Sequence, residues 1–324
     1  MIFKRREILR TIAAVSAIGL MSGGAWAQTA LSGKTIKIVV PYPAGGNADT
    51  IARVFSEQLA KKLGAVVIVD NKPGAAGTIG AESVARASPD GTTLLLTVTS
   101  QLTSAGIGVK PNYDAVKDFA PIVGIAVTPL VLAVPATMPV KTMKEFAALA
   151  KTNKMAFGSY GTGTSTHVLQ TLLVTQMGGD MVHVPYKGEA PMIADMLGGQ
   201  INMGLLPPGV AREMEKAGKM RALAVVGTQR SEFLPNVPTF EEQGFRELDW
   251  TYGVALYAPS KIAPELLQQL AKVGQDIVKD PEVQKKYRAR SIQPWGAGAD
   301  ELKKRLVIDT VMWNKALAKH GKVE

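Results

Sequence analysis

Strand-like and helix-like stretches alternate along this chain from residue 34 almost to its end, and that alternation restricts its fold more than any other feature. Residues 34–40 alternate and then run apolar, as a strand entering a core does. Residues 49–63 place Ile51, Val54, Phe55 and Leu59 at helical spacing, carry Lys61 and Lys62 in the last turn, and meet Gly64 as a stop. Strands are expected at 66–69 and 93–98, with a helix at 78–87 between them. The middle repeats the pattern, with strands at 130–134, 155–157, 182–184, 201–205 and 221–226. Helices at 142–151, 165–177, 189–197 and 209–217 separate them, the first opened by a Thr142–Glu145 capping box. A capped turn at 239–244, a strand at 252–257 and helical patterns at 264–279, 281–289 and 300–319 close the chain. Such alternation predicts an α/β fold in which parallel strands are joined by right-handed crossovers.

The chain has 324 residues, room for about two domains. No Ser/Gly linker or low-complexity tract separates them, so the chain is expected to cross between two lobes inside ordered structure, near 122–134 and again near 227–250. The corresponding division is 28–128 plus 246–324 for a discontinuous first lobe and 129–245 for the second.

Residues 1–27 read as a removable leader. Lys4, Arg5, Arg6 and Arg10 form a basic head, residues 12–21 an uncharged apolar run, and Ala25-Trp26-Ala27 a small-residue exit before Gln28. The apolar run is shorter than the roughly 20 residues of a membrane span. The Arg5-Arg6 pair also fits a twin-arginine signal, which leaves the export route open. The expected product is a protein exported from the cytoplasm and cut after Ala27. Hydrophobic residues make up 46% and charged residues 20%, a globular composition. The formal charge of +10 falls to +7 without the leader, and its basic residues are scattered rather than gathered into a nucleic-acid-binding stripe. There is no cysteine, so disulfides and thiol chemistry are excluded.

Two Gly-rich segments join a strand to a helix. The first is Pro41-Tyr42-Pro43-Ala44-Gly45-Gly46-Asn47-Ala48-Asp49. Its glycines permit close backbone approach, and the free N–H groups of the next helix can hold a carboxylate or phosphate without a charged side chain. Asp49 can cap that helix or receive a ligand ammonium or a bridging water; the same residues also fit an ordinary strand-to-helix turn. The second is Gly158-Ser159-Tyr160-Gly161-Thr162-Gly163-Thr164-Ser165-Thr166-His167. Backbone amides and the hydroxyls of Ser159, Thr162 and Thr164 can surround a second anionic group, with His167 in the first helical turn as a donor or a structural histidine. Helix capping explains the same hydroxyls. In open α/β sheets ligands bind beyond the carboxyl ends of strands, so facing lobes would bring both segments to one cleft. Thr99, at the end of a strand, and Tyr186, followed by Lys187 after another, are further candidates for its edge.

Enzyme motifs fail. Ser32-Gly33-Lys34-Thr35 ends like a phosphate-binding P-loop, but Gln28 stands where the motif begins with Gly. There is no G-x-S-x-G elbow. With His167, His183 and His320 as the only histidines, a histidine-rich metal site is not expected. No cofactor, no metal and no nucleic acid are expected.

At these residues the chain resembles the Bug family, the solute-binding receptors of tripartite tricarboxylate transporters. The resemblance runs through PYPAGGNADTIAR (41–53), VDNKPGAAGTIG (69–80), FGSYGTGTSTH (157–167), VPYKGEAPMIADMLGGQ (184–200), RALAV (221–225) and PNVPTFEEQG (235–244), in order over nearly all of the mature chain. It implies a type II periplasmic binding-protein fold: two lobes, each with a central mostly parallel sheet flanked by helices, and a chain that crosses twice. It implies a monomer that holds a mono- or dicarboxylate through backbone amides and water, and passes it to membrane subunits of the transporter. By that likeness Tyr42, Ala44, Gly45, Gly46 and Asp49 come from the first segment and Ser159, Thr162, Gly163, Thr164 and His167 from the second. The sequence departs from the family pattern at Tyr42, where Phe is frequent, at Asn202, where Asp is common, and at Leu205-Leu206, where an aromatic is common. Two other readings stay open at this point: a secreted hydrolase or lyase with Asp49 and His167 as acid and base, and a receptor presenting its ligand to a membrane kinase.

Overall fold

The computed structural model describes residues 30–104, 111–246, 248, 250 and 252–320. The leader lies outside the described residues. The first half opens with β1 (Thr35–Val40), α1 (Asn47–Leu63), β2 (Val66–Asn71), α2 (Thr78–Ala85), β3 (Thr93–Val98), α3 (Thr99–Ser104) and β4 (Phe119–Val127). The second lobe holds β5 (Val131–Pro135), α4 (Met143–Thr152), β6 (Met155–Ser159), α5 (Ser165–Met177), β7 (Met181–Pro185), α6 (Glu189–Leu197), β8 (Met203–Leu206), α7 (Pro208–Lys216) and β9 (Met220–Val225). The chain then returns through β10 (Gly253–Pro259), α8 (Pro264–Lys279), α9 (Pro281–Arg288), β11 (Gln293–Pro294) and α10 (Ala299–His320).

Two sheets form, in the orders β11-β4-β10-β3-β1-β2 and β7-β6-β8-β5-β9. The crossings fall between β4 and β5 and between β9 and β10. The sheets are mixed rather than mostly parallel. β1 pairs parallel with β2 and β3, but β10 runs antiparallel to both β3 and β4. In the second sheet β6 pairs parallel with β7 and β8, while β5 is antiparallel to β8 and β9. The cause is the double crossing: β5 and β10 enter their sheets from the other lobe instead of from a helix of their own, so no right-handed crossover fixes their direction.

Both faces of each sheet are covered. Ile36, Ile38, Val40, Phe55 and Leu59 pack on one side of the first sheet, and Val39, Leu95 and Tyr257 on the other. Leu132, Phe146, Phe157 and Leu173 fill one side of the second sheet, and Met192, Met196 and Leu206 the other. The continuous apolar runs in the sequence follow from this two-sided burial. Tyr252 packs against the cores of both lobes. So does α10: Leu302 and Leu306 are buried in the first lobe, whereas Trp313 is buried against Trp250 in the second.

Helix ends follow the sequence signals. Gly64 closes α1 in the left-handed conformation at φ 63°, where only glycine is free of a Cβ clash. Thr142 Oγ1 accepts from the Glu145 amide at 3.2 Å, and the Glu145 carboxylate accepts from the Lys141 amide, one residue before the cap.

Candidate functional site

The first Gly-rich loop leaves the carboxyl end of β1 and enters α1 at Gly46. Gly46 has ordinary extended backbone (φ −77°, ψ 176°), and no side chain caps the helix. The first-turn amides therefore lack the partner that Ser, Thr, Asp or Asn would supply at this position. Asp49 is not that cap. It is 3% exposed, and its carboxylate accepts from the Gly45 amide and Arg53 Nε at 2.9 Å each and from Asn71 Nδ2 at 3.0 Å. Burial pushes this carboxyl upward, but the bonds from Arg53, Gly45 and Asn71 outweigh it and hold it below the usual range. Asn71 also donates to the Tyr42 carbonyl at 3.1 Å, so Asp49 and Asn71 together fix the loop. Tyr42 projects back over the sheet; its hydroxyl meets Thr97 Oγ1 at 3.0 Å and receives the Val98 amide at 3.3 Å. Burial pushes that hydroxyl up to about 12. Ala44 and Gly45 are exposed at the loop tip.

The second loop satisfies most of its own polar groups. Ser159 is fully buried; its hydroxyl bonds the Gly161 carbonyl at 3.1 Å and His183 Nε2 at 2.7 Å and accepts from the Gly161 amide at 3.2 Å. Thr164 caps α5, accepting from the His167 amide, and donates to the Gly161 carbonyl at 2.7 Å. The Gly163 amide donates to His167 Nδ1 at 3.1 Å. The amides of Gly161, Gly163 and His167 are thus spent inside the loop. Thr162 is exposed and makes no bond within the loop, so it offers both an amide and a hydroxyl. Tyr186 presents its ring while its hydroxyl donates to Asp195 at 2.7 Å.

The two loops meet. Gly188 packs against Pro43 of the first loop, so closely that a Cβ there would lie 3.6 Å from the proline ring. Gly161 lies beside the Tyr186 carbonyl on the same rim. Asn47 Nδ2 donates to Thr128 Oγ1 at 3.3 Å, tying the start of α1 to the first crossing segment. α3 packs against α5 across the lobes. Thr99, at the head of α3, is wholly buried, and its hydroxyl has no partner. The first loop thus touches the second lobe and presents an uncapped helix start, whereas the second loop satisfies most of its own polar groups.

Sequence reasoning missed three residues near the contact between the lobes. Tyr160 donates to the Leu205 carbonyl at 2.8 Å, Tyr252 stands between the two cores, and Glu189 begins α6 directly after Gly188. The burial of the tyrosines depends on the lobes meeting, which no local pattern encodes. Glu189 reads locally as an ordinary acid in a first helical turn. Among the described residues no group of three or more His, Asp or Glu side chains is placed to hold a metal ion.

Two α/β lobes joined by two crossings, with strand-to-helix loops of both facing one cleft, define a periplasmic binding protein. A structure of the periplasmic binding protein BugD superposes with a TM-score of 0.80 over 89% of this chain and 98% of its own, at 29% identity. The Rhodopseudomonas palustris protein Rpa4515, solved with adipate, does so with a TM-score of 0.82 over 89% and 97%, at 25% identity. A Cupriavidus necator protein described as the UPF0065 protein in the gbd 5' region is 33% identical over 94% of this chain and 93% of its own. Residues 51–322 match the model of the tripartite tricarboxylate transporter family receptor, and the chain belongs to that family. The family is one of receptors, not enzymes. Asp49 is held by Gly45, Arg53 and Asn71, and His167 by the Gly163 amide.

Proposed function

We propose that this receptor captures a small organic carboxylate between its lobes and delivers it to the membrane subunits of a tripartite tricarboxylate-type transporter. One observation carries this reading: the start of α1 has no side-chain cap and faces the opposite lobe across Gly188 and Pro43. Uncapped first-turn amides at the positive end of a 17-residue helix favour a carboxylate without a cationic side chain. Tyr42, Ala44, Gly45 and Gly46 shape that end; Thr99, Thr162 and Tyr186 contribute hydroxyl, amide and ring from around the space. Asp49, Ser159, Gly163, Thr164 and His167 act by holding the two loops in shape. A relative solved with adipate supports a carboxylate as the ligand class. The receptor works as a monomer in the periplasm after removal of its leader behind Ala27.

Calorimetry and thermal-shift titration against mono- and dicarboxylic acids test this. Binding is expected to raise the melting temperature with ligand concentration by mass action. No response to any aliphatic, aromatic or amino carboxylate would sink the proposal.

A further inference from the structure

Among the described residues, Glu189 is a half-buried carboxylate that the protein leaves without a donor. Asp49 has three donors, and Asp309, on α10, has Arg305 one turn earlier at 2.8 Å. Glu189 has neither hydrogen bond nor ion pair among the described residues, and it is half-buried. Its place is fixed from two sides. It follows Gly188, which packs on Pro43 of the first loop. Its electrostatic neighbours are Tyr160 of the second loop and Tyr252 between the cores, and Tyr252 in turn neighbours Tyr42. Residue 189 therefore lies where the two lobes touch, with the uncapped start of α1 on the first-lobe side. Lys187 next to it is exposed and makes no ion pair among the described residues, and Arg53 is committed to Asp49.

A helix-start glutamate in water is stabilised as an anion by the helix dipole. Here burial outweighs that effect and pushes the carboxyl up to about 7. A desolvated carboxylate without a counter-charge is costly, and a ligand that brings a donor removes the cost. A second ligand carboxylate at this position would instead set two like charges together in a low dielectric.

We propose that Glu189 reads the second functional group of the ligand: it accepts a hydrogen bond from an ammonium or hydroxyl carried by the bound carboxylate, and it selects against a second carboxylate at that place. The inference rests on the carboxylate reading above and adds the polarity of the ligand's far end. Calorimetry with the mature receptor decides it, using straight-chain acids of three to six carbons in four matched forms: unsubstituted, ω-amino, ω-hydroxy and dicarboxylate. At the best-bound length, a donor-bearing acid is expected to bind about tenfold tighter than the dicarboxylate, the worth of one charged hydrogen bond. In Glu189→Gln that preference is expected to shrink to about threefold or less, because the acceptor stays and the charge goes. A loss confined to the ω-amino acid identifies an ammonium; near-equal behaviour of amino and hydroxy acids identifies a hydroxyl. Preference of the unaltered receptor for the dicarboxylate, or a preference that Glu189→Gln leaves unchanged, overturns the inference alone. Failure of every carboxylate to bind overturns the carboxylate reading and this inference with it.

Discussion

The imidazole rings of His167 and His183 stack face to face, 3.6 Å between centres and 14° apart, beneath the second loop. His167 Nδ1 accepts the Gly163 amide and His183 Nε2 meets the Ser159 hydroxyl, so the stack holds both ends of that loop. Protonating Nδ1 of His167 would set two donors against each other, and protonating both rings would stack two cations. Burial, and for His167 also its neighbour His183, lowers each ring to about 4 from 6.5. A depressed folded value means the contribution is fully present above pH 6.5 and is lost as pH falls toward 4. For His167, which is 1% exposed, the loss reaches about 2 kcal/mol near pH 5. Glu189, raised to about 7 from 4.5, acts in the opposite sense and loses stability as pH rises through that range. Comparison with His167→Asn separates the two, since Asn keeps an acceptor for Gly163 but does not titrate. Melting curves from pH 7.5 to 4.5 should show a shallower acid limb for the variant.

Gly46→Val should fold and fail to bind. Its φ is ordinary for any residue, and an added Cβ meets only the Pro43 carbonyl at 3.7 Å. Gly80 provides the contrast: a Cβ there would come within 2.9 Å of both the Lys72 carbonyl and Pro41, so Gly80→Ala should destabilise. Thermal melting and carboxylate titration of both variants distinguish a ligand-approach glycine from a packing one. Unchanged affinity in Gly46→Val would remove the first loop from the site.

Asp49→Ala should cost about 2 kcal/mol in urea unfolding, because a buried charged acceptor with three donors is removed. Ligand affinity should drop as well, through the released loop rather than through a lost contact. With a carboxyl held low, the Asp49 contribution persists above pH 3.8 and disappears as pH falls below it. Asp49→Ala with unaltered stability would show the three bonds to be dispensable.

Arg288 Nη1 reaches both Glu232 oxygens, at 2.7 and 2.5 Å, from α9 to the loop after β9, and so joins the two lobes. Both side chains are largely exposed, so the pair should be worth less than about 1 kcal/mol and screened by salt. Glu232→Lys should therefore weaken ligand binding modestly at low ionic strength, with the difference vanishing near 0.5 M salt. An effect of the same size at high salt would point to packing instead of charge.

Much of this was legible in the sequence. The helix predicted at 49–63 is α1 with two further residues at its start, and the strand at 93–98 is β3. Gly64, Thr142 and Thr164 cap as their residue types demand. α3 was missed because Thr99–Ser104 carries no apolar period and reads as hydroxyls at a strand end. β4 was missed as a strand of nine residues because its continuous apolar run has no alternation to mark its bounds. In the site, sequence located both loops but could not say which amides remain free. That depends on whether Asp49 or His167 turns inward to its own loop, and side-chain orientation is set by tertiary packing. Glu189 was invisible for the same reason: its burial is set by how the chain packs around it, and no local pattern marks it.

The C-terminal helix has a mechanical consequence. Because Leu302 and Leu306 root it in one lobe while Trp313 leans on Trp250 in the other, it behaves as a strut laid across the joint. Opening wide like a clam would pull a buried tryptophan into water, whereas a twist about the Trp250–Trp313 contact keeps it dry. Any opening of the two lobes would thus have to reckon with the last helix, which is rooted in both.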